Sequence, residues 1–410
     1  GLSYRDIGNY DLAAGYFERV IWIAQTEQAP PLEAAGLSHL GDACHAMGDL
    51  QGAIQYHQKH LTLARKMDNQ AGESDALGHL GNVYTDLGDT DQAITCYQKQ
   101  LAIARQTQDL PREGLALSNM GDVHRQQGDT QKALNAYKRA LTIARQIENR
   151  FKEGRLIGKI GLIYADLNQT DQAITCYEQA LTIAKDIGDR SGEGYALGNL
   201  GLVHRALNDF RRAIWYFINH LAITHETRDR VGEGRVLNNL GDVYVKLDNL
   251  DQALESYQTA LTIARKIGSR PWQGQLLSRL GRVHRKRGEP RKAIGYYEES
   301  LTIVRDTGDL DTAGQILYRL GNAYRDTHDL RRAHERYEEA LLVARQTENK
   351  RFKAKICFDF AVSLAFEDQQ DEAIHHAELA ADIFKELGET QHAKKAKDLI
   401  AEIKPRRRWF

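Results

Sequence analysis

The chain has 410 residues, of which 55 are basic and 56 acidic, for a formal net charge of −1. Near-neutrality excludes the whole-molecule field that draws a protein to nucleic acid or anionic membrane, and the 27% charged content fits a well-solvated surface. Four scattered cysteines (Cys44, Cys96, Cys176, Cys357) argue against a disulfide framework or a thiolate zinc site. No run approaches the ~18 apolar residues needed to span a bilayer, so a reducing, cytoplasmic setting is expected.

A period of 40 residues organises the whole sequence. Gly41, Gly81, Gly121, Gly161, Gly201, Gly241, Gly281 and Gly321 share one column, an alanine column runs from Ala53 to Ala373, and an aromatic column holds Tyr97, Tyr137, Tyr177, Phe217, Tyr257, Tyr297 and Tyr337. Such recurrence is the mark of a repeat array, which grows without splitting its core. Gly1 aligns with Gly81, Ala13 with Ala93 and Phe17 with Phe217. Residues 1–31 therefore read as a partial repeat cut inside its first helix, and a longer parent protein is expected. Eight units of 40 residues follow over 32–351.

Within 72–111, Leu77, Leu80, Gly81 and Tyr84 form the stripe of an amphipathic helix. Gly88 breaks it, Asp89 offers an N-cap, and a second helix carries Ala93, Tyr97, Leu101 and Ala104 on one face. Between units, Asn69, Asp109, Asn149, Asp189, Asp229, Ser269, Asp309 and Asn349 form a column of cap or turn formers, and Pro31, Pro111 and Pro271 fall in the first turn beyond it. A degenerate unit occupies 352–391, with Ala361 in place of glycine and Ala377 in place of the aromatic residue. A capping helix over 392–404 and a basic, aromatic tail over 405–410 close the chain, Pro405 stopping the helix.

The motif L-x2-LG-x2-Y followed by A-x3-Y resembles that of the tetratricopeptide repeat, with six residues more per unit than the common 34-residue form. The 40-residue spacing, with Leu141 to Arg145 as an L-T-I-A-R segment, is similar to adaptors of the Pins/LGN type and to the sensor arrays of bacterial signalling NTPases. The resemblance implies an all-α, right-handed superhelical solenoid of antiparallel helix pairs. It also implies a non-catalytic scaffold that holds a peptide or protein in its concave groove, as the recognition part of a larger regulatory protein.

An 80-residue alternation lies inside the period. Every second unit reads Val-His-Arg, at 123–125, 203–205 and 283–285. Duplication of a two-repeat block accounts for this; a ladder of arginines matched to a long acidic ligand is the functional alternative.

In such a fold the first helices line the groove. The early units present a mixed set, including Asp42, Asp75, His79, Asn82, Asp86 and Asp122. Arg279, Arg282, Arg285, Lys286, Arg319, Asn322 and Arg325 make the later units basic, and Arg125, Arg155, Arg205 and Arg235 extend the track backwards. Arginine suits carboxylates and stays charged when partly desolvated, so the partner expected here is a protein or an extended acidic peptide. The alternative is that these arginines solvate a helix face or pair with local carboxylates. Groove asparagines such as Asn239 and Asn322 are implied by the resemblance to hold a peptide backbone. Phe358, Val362 and Phe366 form an apolar anchor at the far end, either covered by a neighbouring segment or used by a partner.

Chemistry is sparse. The Gly192-Glu-Gly194 pattern belongs to a repeating helix column and is no dinucleotide loop. The 15 histidines are dispersed, and His375-His376 and the His124, His204, His284 column show no clustered acidic or thiol partners. No metal, no cofactor and no catalytic residue is therefore expected. A homo-oligomeric or structural role is a second reading, and single-stranded nucleic acid a third, which the neutral charge and few groove aromatics disfavour.

Overall fold

The computed structural model describes residues 9–367 and 369–404, together with Leu2. The remaining residues of 1–8 and all of 405–410, where the truncated first helix, the Pro405 stop and the basic tail are expected, lie outside the described residues. Every described element of regular structure is helical. The chain divides into two compact units, residues 1–207 and 208–410.

The first unit contains α1 (Tyr10–Thr26), α2 (Pro30–Ala46), α3 (Leu50–Lys66), α4 (Gln70–Leu87), α5 (Thr90–Gln106), α6 (Leu110–Gln126), α7 (Thr130–Gln146), α8 (Arg150–Asp166), α9 (Thr170–Asp186) and α10 (Arg190–Ala206). The second contains α11 (Phe210–Glu226), α12 (Arg230–Lys246), α13 (Leu250–Ile267), α14 (Arg270–Lys286), α15 (Pro290–Thr307), α16 (Leu310–Asp326), α17 (Leu330–Gln346), α18 (Lys350–Phe366), α19 (Gln370–Glu386) and α20 (Thr390–Ile403). Within each unit every helix packs on the one before it and the one after it, as in a solenoid.

The punctuation is local. The turn after α4 closes with Gly88 N–H donating to Thr85 O and Asp89 N–H to Tyr84 O, while Gly88 sits in the left-handed region at φ 82°. Asp89 then caps α5 by accepting from Gln92 N–H at 3.1 Å. In the cap column between repeats, Asn69, Asp109, Asn149, Asp189, Asp229, Asp309 and Asn349 each accept from the backbone three residues on, and Ser269 makes no such bond.

The two most regular columns of the sequence meet in the core. A methyl group placed on Gly121 would stand 2.5 Å from the Tyr137 ring, and one on Gly281 would stand 2.6 Å from the Tyr297 ring. The glycine is thus the seat of the tyrosine, and Tyr137, Tyr257 and Tyr337 are wholly buried. In the degenerate repeat, Ala361 and Ala377 are both buried, so a small pair fills the place of Gly and Tyr.

Candidate protein-interaction surface

The buried tyrosines turn their hydroxyls outward to the first helices. Tyr97 donates to Asn82 Oδ1 at 2.7 Å, Tyr137 to Asp122, Tyr257 to Asp242 and Tyr337 to Asn322, always fifteen residues back. A buried hydroxyl needs such an acceptor, because desolvation without a partner is costly. The acceptor is then shared with the next repeat. Asp122 Oδ2 accepts from Lys159 at 2.7 Å, and Asp242 accepts from Arg279.

A second contact joins consecutive first helices one residue beyond the period. His45 Nε2 lies 2.7 Å from Asp86, Arg125 lies 3.7 Å from Asp166, and Arg285 Nε donates to Asp326 Oδ2 at 2.6 Å. These are polar junctions at alternate repeats, ionic at Arg125 and Arg285. In the intervening units the same column holds Thr85, Ala165 and Val245. The Val-His-Arg alternation therefore has a structural role at Arg125 and Arg285, which tie their units to the next.

The predicted basic track is consequently supplied with carboxylates from neighbouring helices. Lys286 lies 2.7 Å from Asp248, and Arg325 lies 3.5 Å from Asp359 with a further bond to the Asp359 carbonyl at 3.3 Å. Asn322 is buried, its amide oxygen taken by Tyr337, so this asparagine is a structural acceptor. Arg235 is exposed and Asn239 half-buried on α12; Arg205 is half-buried near the end of α10.

One cluster keeps an excess of positive charge. Arg279 and Arg282 both approach Asp242 Oδ1, the latter at 3.6 Å. Beside them Arg319 donates to Ser278 Oγ at 2.5 Å and forms no ion pair among the described residues. Desolvation pushes the Arg319 guanidinium below its ordinary pKa, and the like charges of Arg282 and Arg279 add to that. Two guanidiniums thus share one carboxylate, and a third stands beside them with a hydroxyl as its partner.

This cluster opens into a groove. Arg319 lines a depression with Asp311, Gln315, Tyr318, Phe352 and Lys355. Phe352 and Lys355 also line the next, together with Phe358 and Phe384, the basic Arg351, His392 and Lys395, and the carboxylates of Asp359 and Glu389, the last of which pairs with Arg351. Phe358 is half-buried against the core and Val362 half-buried, while Phe366 alone is well exposed, at 67%, and lines neither depression. Phe352, half-buried in a variable column, and Phe384, in the buried column of Ala104 and Ala144, supply the rest of the apolar lining.

In the first unit a further cavity lies among α6, α8 and α10, lined by Arg125, Phe151, Arg155, Lys159 and Tyr195. Arg155 stacks over the Phe151 ring at 4.8 Å. The exposed aromatics Phe151 and Tyr195 fall outside the glycine, alanine and tyrosine columns, so the periodic pattern gave no signal for them.

Two expectations about histidine fail. His284 Nδ1 stands 2.7 Å from Glu289 Oε2 and its ring stacks on Tyr296, so that column is not without acidic partners. More consequentially, Asp42, His57 and His79 come together from α2, α3 and α4. Separation along the chain concealed their proximity in space.

The chain belongs to the tetratricopeptide repeat family, whose models match residues 1–31, 37–71, 73–146, 154–224 and 232–306. Such repeats are protein-interaction scaffolds, and that is the general class of this chain. Among curated proteins none matches the sequence. Of solved structures, a Signal Transduction ATPase with Numerous Domains from Pyrococcus horikoshii, which carries a tetratricopeptide repeat sensor, aligns with a TM-score of 0.65 and 16% identity, over 84% of this chain and 55% of its own. Aspartyl phosphate phosphatase F from Bacillus subtilis aligns with a TM-score of 0.55 and 13% identity, over 82% and 94%. BtubC from P. vanneervenii aligns with a TM-score of 0.50 and 22% identity, over 54% and 92%. At these identities the likeness is one of fold. No described helix is long and apolar enough to cross a membrane.

Proposed function

We propose that the chain is a non-catalytic scaffold whose second unit binds an acidic segment of a partner protein, along the face that runs from α14 to α20. The observation that carries this reading is the Arg279, Arg282 and Arg319 cluster, in which Asp242 pairs with the first two and Arg319 donates to the Ser278 hydroxyl. A partly desolvated surplus of guanidinium charge is relieved by an incoming carboxylate, which Arg receives through two parallel N–H donors. The apolar floor at Phe352, Phe358 and Phe384 then accepts a hydrophobic side chain from the same segment. That combination matters, because exposed ion pairs contribute only ~0–1 kcal/mol each and micromolar affinity requires about 8 kcal/mol. A role as the sensing part of a larger signalling protein accords with the structural likeness to the STAND protein, of which this chain spans 55%.

Fluorescence anisotropy with a labelled peptide of several glutamates ending in phenylalanine tests the reading on the full chain. Binding that weakens at least about tenfold in Arg282→Glu/Arg319→Glu, and weakens with salt, is the expected result. Equal affinity of the double variant and the parent protein overturns it.

A further inference from the structure

We infer that Asp42, His57 and His79 form a binding site for a divalent transition-metal ion, of the class that takes imidazole with carboxylate: zinc, cobalt, nickel or copper. The three offer one ligand atom each, all within 4.8 Å of one another, and they come from three consecutive helices of the first unit. His79 Nδ1 stands 3.0 Å from Asp42 Oδ1, and His57 Nε2 stands 3.8 Å from the same oxygen. Imidazole nitrogen and a single carboxylate favour these ions over magnesium or calcium, which take oxygen ligands.

His57 makes the case particular to this repeat. Its column holds tyrosine at 97, 137, 177, 257, 297 and 337. Gly41 keeps its place beneath the ring, since a methyl group there would stand 2.5 Å from His57 Cε1. The imidazole is fully buried, and neither ring nitrogen has a hydrogen-bond partner. At Tyr97, Tyr137, Tyr257 and Tyr337 this space is filled by a phenol that donates to the first helix; here a ring of two nitrogens faces Asp42 from beyond hydrogen-bond reach. A buried polar group left in this state is costly, and coordination of Nε2 to an ion resolves one of its two orphaned atoms.

The lattice supplies the other two ligands. Asp42 occupies the column in which Asp122 and Asp242 receive both a tyrosine and a cation of the next repeat. His79 occupies the column of those cations, Lys159 and Arg279. Replacement of tyrosine by His57 and of the cation by His79 converts a conserved arrangement of hydrogen bonds into three metal-ligating groups. His39 Nδ1 lies 4.0 Å from the second Asp42 oxygen and is the candidate for a fourth ligand.

Capture of an ion requires a defined movement. Zinc–nitrogen and zinc–oxygen bonds of about 2.0–2.2 Å place tetrahedral ligands roughly 3.3 Å apart, so His57 Nε2, now 3.8 Å from Asp42 Oδ1, must approach while the 3.0 Å pair of His79 and Asp42 opens slightly. The His57 and His79 rings are stacked at 4.9 Å and 9°, and an ion lying in both ring planes needs one ring to turn. His57 is wedged over Gly41, whereas the His79 side chain is 35% exposed, so His79 is the ring that turns, about its contact with Asp42. The ion then takes the position of the proton shared by His79 and Asp42, and bridges two successive repeats.

Isothermal titration calorimetry of the full chain with zinc chloride alone, in a non-chelating buffer, tests the site. One equivalent bound per chain and a raised thermal midpoint in the presence of zinc are expected, with tetrahedral nitrogen and oxygen coordination in the visible spectrum of the cobalt form. His57→Tyr restores the residue of the column and should keep the helical circular dichroism while affinity falls more than about tenfold. His79→Asn, which introduces the residue found at 119, 199 and 239, should lose the ion equally and serves if the first variant fails to fold. Binding of the same stoichiometry and affinity in a folded variant, or no zinc bound by the parent protein, overturns the assignment.

Discussion

Arg285 reaches Asp326 with its Nε 2.6 Å from Oδ2 and a second, longer bond from a terminal nitrogen at 3.4 Å to Oδ1. The two residues are 41 apart, one repeat and one further position, on successive first helices. Both side chains are about one-third exposed, at 35% and 32%. Solvent screening therefore limits their coupling to about 0.5–1 kcal/mol, and a double-mutant cycle of Arg285→Ala and Asp326→Ala in urea should return that value and shrink in 1 M salt. Zero coupling at low salt would remove the charged junction as a stabilising contact.

The glycine column is the seat of the tyrosine ring, so Gly121→Ala should destabilise the protein by about 1–3 kcal/mol even though alanine is the better helix former. Gly295 is the control. It lies inside α15, exposed, with nothing within 4 Å of where a methyl group would stand. Gly295→Ala should stabilise by about 0.5–1 kcal/mol. Thermal midpoints that move in the same direction for both variants would contradict the packing described for Gly121 and Tyr137.

The cap column makes a graded prediction. Asp309 accepts from Thr312 N–H at 3.0 Å, and its carboxyl is held below the usual range first by the Thr312 side chain and then by that backbone bond. Asp309→Ala should cost about 1 kcal/mol. Ser269 makes no such bond, although Asp109 caps α6 with the same proline two residues on. Ser269→Asp should therefore gain a few tenths of a kcal/mol up to about 1. Urea midpoints of the two variants provide the check.

Acid should weaken the fold through its buried imidazoles. Burial pushes His376 and His220 below the ordinary histidine pKa. His375 and Arg345 oppose protonation of His376 and Glu372 favours it; Arg235 opposes and Asp229 favours that of His220. The unfolded chain binds these protons below about pH 6.5 and the native chain does not until lower pH. Stability is thus independent of these groups above that value and falls as pH drops below it. His376→Asn should flatten the decline in urea midpoint between pH 7 and 5; an unaltered slope would show that His376 titrates normally.

The repeat, its helix pair, the cap column and the glycine and tyrosine columns were legible because each is a periodic, local constraint. The contacts between repeats were not. Pairing of Arg125 with Asp166, or of Lys159 with Asp122, depends on the register of one helix against the next, which no spacing within a helix reveals. The arginine track was visible as residues of one sign, but its carboxylates stand in other columns and looked unrelated. His57 was hidden for the opposite reason: it interrupts the tyrosine column, and an interruption reads as decay of the pattern. Once tyrosine is known to donate fifteen residues back, to an acceptor shared with position 79 in the next unit, the trio of Asp42, His57 and His79 becomes readable from the sequence.

Polar seams at His45–Asp86, Arg125–Asp166 and Arg285–Asp326 are separated by junctions that carry Thr85, Ala165 and Val245 in the same column. The array is therefore heterogeneous in its response to the medium. Added electrolyte screens these pairs, and it also screens Arg112–Asp75 and Arg279–Asp242, which cross the Thr85 and Val245 junctions through other columns. Rising salt should therefore soften the joints within each compact unit by unequal amounts, set by how many such pairs cross each one.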